Sequence, residues 1–219
     1  MAIFETPGDY ELMLSVLAEA HERVAMRTIG YCIMPSHWHL VLWPRGDGEL
    51  SEFMRWLTVT HTQRWHSAHG TAGTGHVYQG RYKNFPVQQT RPRAAQRLHG
   101  LLEGGDSVLS VLRYVERNPL RVGLVTRAEA WPHSSLHARA SDAPSQAVEL
   151  TDPPGGLPSD WPTLVNEPQT QKELDALQRC IQRGRPLGRE PWVRQMARHW
   201  GLQSTLRPRG RPKKQEKGS

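Results

Sequence analysis

An α+β protein with antiparallel strands is the fold class that the sequence predicts, and three observations lead to it. Segments with helical and with strand periodicity follow one another in the order α-β-β-α-β-α-α. The strand-forming segments 26–34 and 37–43 are separated only by Pro35-Ser36, so they predict a hairpin. Hydrophobic residues make up 37% of the 219 residues, which is enough for one good core and excludes a wholly disordered chain.

The elements of the first half are placed by capping and turn residues. The segment beginning PGDYEL carries apolar residues at helical spacing and predicts a helix capped by Asp9. After the hairpin, Ser51 is predicted to cap a second helix over 52–67. The glycine-rich residues 70–75 predict a flexible loop, and RYKNFPVQ at 81–88 predicts a short strand.

The second half is predicted to be helical apart from one linker. Four segments have helical periodicity: 94–103, 107–118, 171–183 and 189–200. Pro119 is expected to end the second of them. Residues 140–170 are rich in Pro, Ser, Asp and Gly and predict a linker. The chain therefore divides into a domain over 1–139, the linker, and a basic helical extension over 171–219 that ends in a disordered tail, RPRGRPKKQEKGS.

The net charge of +7 is distributed unevenly along the chain. Residues 45–127 carry +6 and the last 49 residues carry +9, whereas residues 1–44 carry −3 and residues 128–170 carry −5. A charge that served only solubility would be spread more evenly. Clustered Arg and Lys are typical of a protein that binds a polyanion, so nucleic acid is the favoured partner.

Several classes of protein are excluded by what the sequence lacks. No run of 18 apolar residues occurs, so no membrane span is predicted. The N-terminus has neither a basic nor an apolar stretch of the signal-peptide type. The two cysteines, Cys32 and Cys180, form neither a disulfide framework nor a CxxC metal motif. We therefore expect a reducing, cytoplasmic environment.

His37 and His39 are the first candidate site residues. Side chains two positions apart on a strand point to the same face, so the two imidazoles lie side by side, about 6.5–7 Å apart along the strand. Two such imidazoles can bind one metal ion between them. The alternative is that both are polar residues on an exposed strand face.

Tyr114 and Asn118 are four residues apart in the predicted helix and so share one of its faces. A phenol and an amide oxygen can therefore converge on one point. No other tyrosine of the chain has a polar residue four positions later that could hold a metal or a phosphate. The alternative is a half-buried Tyr114 that packs on the core and an Asn118 that ends the helix before Pro119.

Together these residues predict a metal-assisted reaction at a phosphodiester. A tyrosine can attack a phosphodiester as a covalent nucleophile. A divalent ion held by two histidines and an amide would polarise that phosphate. Such a donor set with open positions suits Mg²⁺ or Mn²⁺, although imidazoles alone would also take Zn²⁺.

Four segments follow one another along the chain in this order: MPSHWHLVLWP, QGRYKNFPV, YVERNPLRVGLV and WPHSS. Together they resemble a known family, the REP-associated tyrosine transposases of the HUH single-tyrosine superfamily. The resemblance covers about residues 3–138, with RGRPLG and GRPKK added near the C-terminus. Family members usually begin with a further strand before the segment that matches MAIFETPGDYEL.

The resemblance implies a ferredoxin-like antiparallel sheet with helices on one face, here without its first strand. It implies that Tyr114 attacks single-stranded hairpin DNA, giving a 5′-phosphotyrosine and a free 3′-OH. His37, His39 and Asn118 would be ligands of Mg²⁺ or Mn²⁺. Residues 1–139 would then be a transposase-type catalytic domain in a bacterial, nucleoid-associated protein, with monomer and homodimer both open.

Two other functions stay open at this point. A protein without the first strand could be a non-catalytic remnant that binds the same hairpins. A metal-dependent hydrolase built on His37 and His39 would use bound water instead of Tyr114.

Basic residues outside this pair of motifs are candidates for DNA binding. Arg81 and Lys83 lie in the predicted short strand, and the C-terminal basic segment predicts contacts to a minor groove or a hairpin backbone. The complete set is Arg81, Lys83, Arg121, Arg183, Arg185, Arg189, Arg207, Arg209, Arg211, Lys213 and Lys214.

Overall fold

A computed structural model describes residues 2–89, 107–141 and 148–207 of the chain. The chain forms two compact units, and segments from both halves of the sequence contribute to each. The first comprises Met1–Tyr82 and Gln89–Thr170, and the second comprises Lys83–Gln88 and Gln171–Ser219. The predicted helix at 94–103 and the basic tail from residue 208 onwards lie outside the described residues.

The first unit contains two strands and five of the α-helices. Its elements are α1 (Pro7–Arg23), β1 (Arg27–Met34), β2 (His37–Trp43), α2 (Glu49–Ala68), α3 (Ser107–Arg121), a 3₁₀ turn (Ala128–Ala130), α4 (Ser135–Ala140) and α5 (Trp161–Asn166). The α+β class that the sequence predicts is therefore confirmed.

The two strands form the antiparallel hairpin expected from the sequence. Cys32 of β1 lies opposite His39, and Met34 lies opposite His37. Because side chains alternate along each strand, this register places the two histidines on one face of the sheet. Trp38 and Leu40 point to the other face.

That other face packs on α1 and α2 and contains the main core. The side chains shared between these elements are almost completely excluded from solvent: Met13, Leu17, Tyr31, Ile33, Phe53 and Leu57. Burying six side chains of this size is the dominant favourable contribution to folding here. It also fixes the orientation of β2, since a one-residue slip would turn its apolar side chains to the opposite face.

The histidine-bearing face of the sheet is covered by α3. This helix approaches β1 closely at Gly30, where a Cβ atom would lie 2.2 Å from Leu112 Cδ1 and 2.9 Å from Ser135 Oγ. A glycine is therefore required for the helix to reach the strand. The family resemblance implies helices on one face of the sheet. In the structure α1 and α2 pack on one face, and α3 adds a layer on the other.

The outer edge of β1 is hydrogen-bonded at Tyr31 and Ile33 by residues of the WPHSS motif. His133 accepts from Ile33 N at 2.9 Å, and Trp131 Nε1 donates to Ile33 O at 2.9 Å. Ser135 Oγ lies 3.0 Å from Tyr31 N and 3.2 Å from Tyr31 O. Across the ranges that the structure describes, the outer edge of β2 receives no backbone hydrogen bond from any segment besides β1.

Three helix boundaries differ from the sequence prediction. The N-cap of α1 is Thr6 instead of Asp9, whose carboxylate accepts from the Thr6 amide at 2.8 Å. Helix α2 begins earlier than Ser51 predicts, because Gly48 takes up a left-handed conformation with φ of 86° and becomes its N-cap. Helix α3 continues past Pro119 to Arg121, and the carbonyl of Asn118 accepts from Val122 N, four residues later, at 3.2 Å.

The predicted linker is wrong from residue 148 onwards, because this part of the chain packs on α3. Arg113 donates to Glu167 O at 2.8 Å, and Arg117 donates to Val165 O at 3.0 Å. Trp161 and Val165 are buried. The stretch is polar in composition, so the sequence gives little weight to the few apolar side chains that pack it into the first unit.

The second unit contains α6 (Gln171–Arg183), α7 (Glu190–His199) and a 3₁₀ turn (Gln203–Leu206). Its two helices confirm the amphipathic segments, and they bury Leu177, Cys180, Val193 and Ala197. The strand expected at 81–88 is reduced to a single bridge between Val87 and Leu187. None of the helices in the described residues is long and apolar enough to cross a membrane.

Candidate active site

Two neutral imidazoles lie next to each other on β2. The ring centroids of His37 and His39 are 4.9 Å apart, and the rings are nearly perpendicular. Burial lowers the pKa of both, and the positive charge of Arg121 lowers them further; for His39, where the charge of His37 adds to the effect, the pKa falls to about 3. Both rings are therefore uncharged at neutral pH, which is the form that binds metal ions.

Tyr114 of α3 stands directly beside this pair. Its ring centroid is 6.0 Å from that of His39, in an edge-on arrangement. The side chain is 6% exposed, and its hydroxyl makes no hydrogen bond to any residue that the structure describes. The phenol is therefore held in position by packing while its oxygen stays available.

Asn118 lies one helical turn further and is completely buried. Its Oδ1 accepts a hydrogen bond from Nη2 of Arg121. A guanidinium can only donate, so the amide must present its oxygen to Arg121. The guanidinium carbon of Arg121 also lies 5.2 Å from the centroid of the Tyr114 ring.

A divalent metal fits the histidine pair. The Nε2 atom of His39 is buried and has no hydrogen-bond partner in the described residues, and Ser36 Oγ lies 3.1 Å from Nδ1 of His37, which leaves its Nε2 open. The described ranges contain no cluster of three His, Cys, Asp or Glu residues that could bind a metal. A third protein ligand would therefore be an amide oxygen, and that of Asn118 is bonded to Arg121.

Glu116 positions α3 from its opposite side, and the sequence analysis did not single it out. The carboxylate is fully buried and accepts from Ser135 Oγ at 2.6 Å, Arg139 Nη1 at 2.6 Å and Trp161 Nε1 at 2.7 Å. Burial raises the pKa of this carboxyl, and the ion pair with Arg139 opposes that rise. The network joins α3 to α4, α5 and, through Arg139, the carbonyl of Ile29.

A second network fixes β2 from behind the histidines. Trp38 Nε1 donates to Tyr78 OH at 3.1 Å, and that hydroxyl lies 2.7 Å from Nδ1 of His61. His61 is fully buried in α2. The chain of three polar side chains therefore links the strand, the segment after α2 and the helix itself.

The remaining basic residues fall into three groups. Arg81 is exposed in the first unit, and Lys83 is exposed in the second. Arg183 donates to Ser204 O at 3.2 Å, and Arg185 forms an ion pair with Glu190 at 3.4 Å. Arg189 and Arg207 are also exposed. The remaining four basic residues lie outside the described residues: Arg209, Arg211, Lys213 and Lys214.

Two histidines on a strand face a tyrosine on a helix in this α+β protein, and these side chains form its candidate active site. Residues 2–97 match the family model described as "Transposase IS200 like", so this part of the chain is similar to that transposase family. The match includes both histidines and ends before Tyr114. No curated protein and no solved structure gave a significant match. The family match supports a transposase-type, DNA-processing function for this part of the chain.

Replacing His39 with leucine is expected to make the metal-free protein less sensitive to acid. The folded pKa lies at about 3, below the value of about 6.5 for an unfolded histidine, so the unfolded chain takes up a proton first as the pH falls. Between pH 6.5 and 4.5 this group should remove about 2 kcal/mol from the free energy of unfolding. Urea unfolding at the two pH values measures the loss in wild type and in His39→Leu.

The control is His76→Leu, which removes an exposed histidine. It should lose stability as steeply as wild type. An equally steep loss in His39→Leu would contradict the buried, neutral state of His39.

Proposed function

We propose that the protein is a metal-dependent enzyme that nicks and rejoins single-stranded hairpin DNA of the REP type through a 5′-phosphotyrosine on Tyr114. The observation that carries the proposal is the contact between Tyr114 and His39, with a ring-centroid distance of 6.0 Å. It brings a nucleophile, whose hydroxyl makes no hydrogen bond to the described residues, next to a pair of neutral imidazoles. The match to a transposase family supports a reaction of this type.

Cleavage would begin with attack of the Tyr114 oxygen on the phosphorus. The phenol loses its proton to solvent, the new bond joins tyrosine to phosphorus, and the bond from phosphorus to the 3′-oxygen breaks. The leaving oxygen takes up a proton and becomes a free 3′-OH. Attack by a 3′-OH on the phosphotyrosine reverses these steps and joins strands.

His37, His39 and Asn118 would hold Mg²⁺ or Mn²⁺ in this site. The bound cation supplies charge stabilisation at the phosphate under attack. The protein itself would provide the position of the nucleophile and a further positive charge. The packing of α3 on Gly30 holds the tyrosine near the histidines, and Arg121 adds a positive charge beside the ring of Tyr114. A positive charge at this point would stabilise the negative charge that develops on the phosphate during the reaction.

Basic residues outside the site would add further contacts to DNA. Arg81 and Lys83 are exposed, as are Arg189 and Arg207. Side chains of this kind contact phosphates without reading sequence. Binding should therefore weaken steeply as the salt concentration rises.

The test is a covalent adduct between the protein and labelled DNA. Single-stranded hairpins labelled at either end are incubated with the protein and Mn²⁺ and then separated on denaturing gels. The label 3′ of the nick should migrate with the protein, because the 5′-phosphate stays on tyrosine, and peptide mapping should locate it on Tyr114. The absence of an adduct, or its location on another residue, would contradict the proposal.

A non-catalytic DNA-binding protein is the second candidate. It is favoured by the outer edge of β2, which receives no backbone hydrogen bond from the described residues other than those of β1. This candidate predicts that the same hairpins are retained in a gel-shift assay and that no strand is cut with any divalent metal.

A further inference from the structure

The Oδ1 atom of Asn118 is the one protein oxygen assigned to the metal, and in this structure it is bonded to Arg121. A carbonyl oxygen has a second lone pair, but a guanidinium and a divalent cation on the same atom would repel each other. Asn118 is completely buried, and its Nδ2 has no partner in the described residues. Arg121 therefore competes directly with a metal for this ligand.

The guanidinium of Arg121 could also bind a phosphate beside Tyr114 instead of Asn118. Its side chain is exposed at the end of α3, and its guanidinium carbon lies 5.2 Å from the centroid of the Tyr114 ring. A phosphate that is to be attacked by Tyr114 must enter beside this ring. Arginine binds phosphate through two parallel hydrogen bonds, which are stronger than a bond to a neutral amide.

We propose that Arg121 alternates between Asn118 in the free protein and the phosphate of the bound strand, so that DNA binding releases Asn118 to the metal. The inference rests on the proposed function, because it takes the histidine pair and Asn118 as the metal site. It adds a coupling between the binding of DNA and the binding of the metal. By thermodynamic linkage, DNA must then raise the affinity for metal by the same factor as metal raises the affinity for DNA.

The coupling is measured as Mn²⁺ affinity, from the electron paramagnetic resonance signal of free Mn²⁺. Tyr114→Phe protein is used throughout, so that the DNA is not cut. A hairpin single strand should raise the Mn²⁺ affinity by about 5- to 10-fold, a typical size for such coupling. In the Tyr114→Phe/Arg121→Met protein, the affinity without DNA should already be raised by a similar factor, and DNA should add less than about 2-fold.

Arg127→Met is the matched control. This arginine follows the same helix, is exposed and pairs with Glu129 at 2.5 Å, so its loss removes the same charge without freeing Asn118. It should leave the effect of DNA on Mn²⁺ binding unchanged. Thermal unfolding of each variant confirms that the fold is retained.

The outcomes separate this inference from the proposed function. If Mn²⁺ binding is lost in His39→Leu but is the same in Arg121→Met as in the parent, the metal site stands and the inference is wrong. An Arg127→Met protein that changes as much as Arg121→Met would also contradict it, since net charge alone would then explain the result. If Mn²⁺ binding is absent, or indifferent to His39→Leu, the metal site of the proposed function fails, and the coupling fails with it.

Discussion

Tyr114→Phe is expected to abolish the covalent adduct with DNA while the fold and the affinity for DNA are retained. Phenylalanine keeps the ring that packs edge-on against His39 and removes only a hydroxyl that has no hydrogen bond to the described residues. Loss of a nucleophile that acts together with its neighbours removes nearly all of the catalysis, so cleavage should fall by at least about 10³-fold. The cleavage rate is measured in single-turnover experiments with Mn²⁺.

The matched control for this variant is Tyr10→Phe. Tyr10 is similarly buried and stacks on His133 with a ring-centroid distance of 3.8 Å, so the same loss of a hydroxyl leaves its packing intact. It should cleave at the wild-type rate. Cleavage by Tyr114→Phe at more than about a tenth of that rate would show that another nucleophile is used, such as a bound water.

Replacing Glu116 with leucine is expected to cause the largest loss of stability of any substitution considered. It removes the acceptor of three hydrogen bonds and leaves the charge of Arg139, whose side chain is only 17% exposed, without its partner. Breaking a buried ion pair by removing one partner costs about 3–5 kcal/mol. Urea unfolding measures the change in the free energy of unfolding.

A double variant tests whether the unpaired charge of Arg139 causes the loss of stability in Glu116→Leu. Glu116→Leu combined with Arg139→Met removes both charges, so part of the stability should return relative to Glu116→Leu alone. The double variant should also recover the position of α3 and thus part of the cleavage activity. A loss below about 1 kcal/mol in Glu116→Leu would mean that the network does not hold the helix in place.

Local features of the fold and of the site were predictable because they follow from spacing along the chain. The hairpin is confirmed almost to the residue, since a proline turn between two strand-forming segments allows few other structures. The amphipathic helices of the second unit are confirmed for the same reason. Predictions that depended on one residue were less reliable: Gly48 replaced Ser51 as an N-cap, and Pro119 did not end α3.

The packing partners of these elements were not predictable in the same way. Residues 140–170 were expected to be a linker, and only the contacts that 148–170 make to α3 show that Trp161 and Val165 are buried packing residues. Glu116 gave no local signal, since its three donors come from other elements that are distant in sequence. The structural role of His61 was not predictable either, because its hydrogen-bond partner Tyr78 follows a loop and lies 17 residues away in sequence.

Which reactive side chains share a face follows from spacing along the chain: His37 and His39 lie on one face of a strand, and Tyr114 and Asn118 lie on one face of a helix. These relations depend on the 2.0 and 3.6 periods of the backbone and need no knowledge of the fold. That the two faces meet is a result of tertiary packing, because it depends on the close approach of α3 to Gly30. Tertiary packing also decided that Asn118 is bonded to Arg121, since a buried amide oxygen takes whichever donor the packing brings to it.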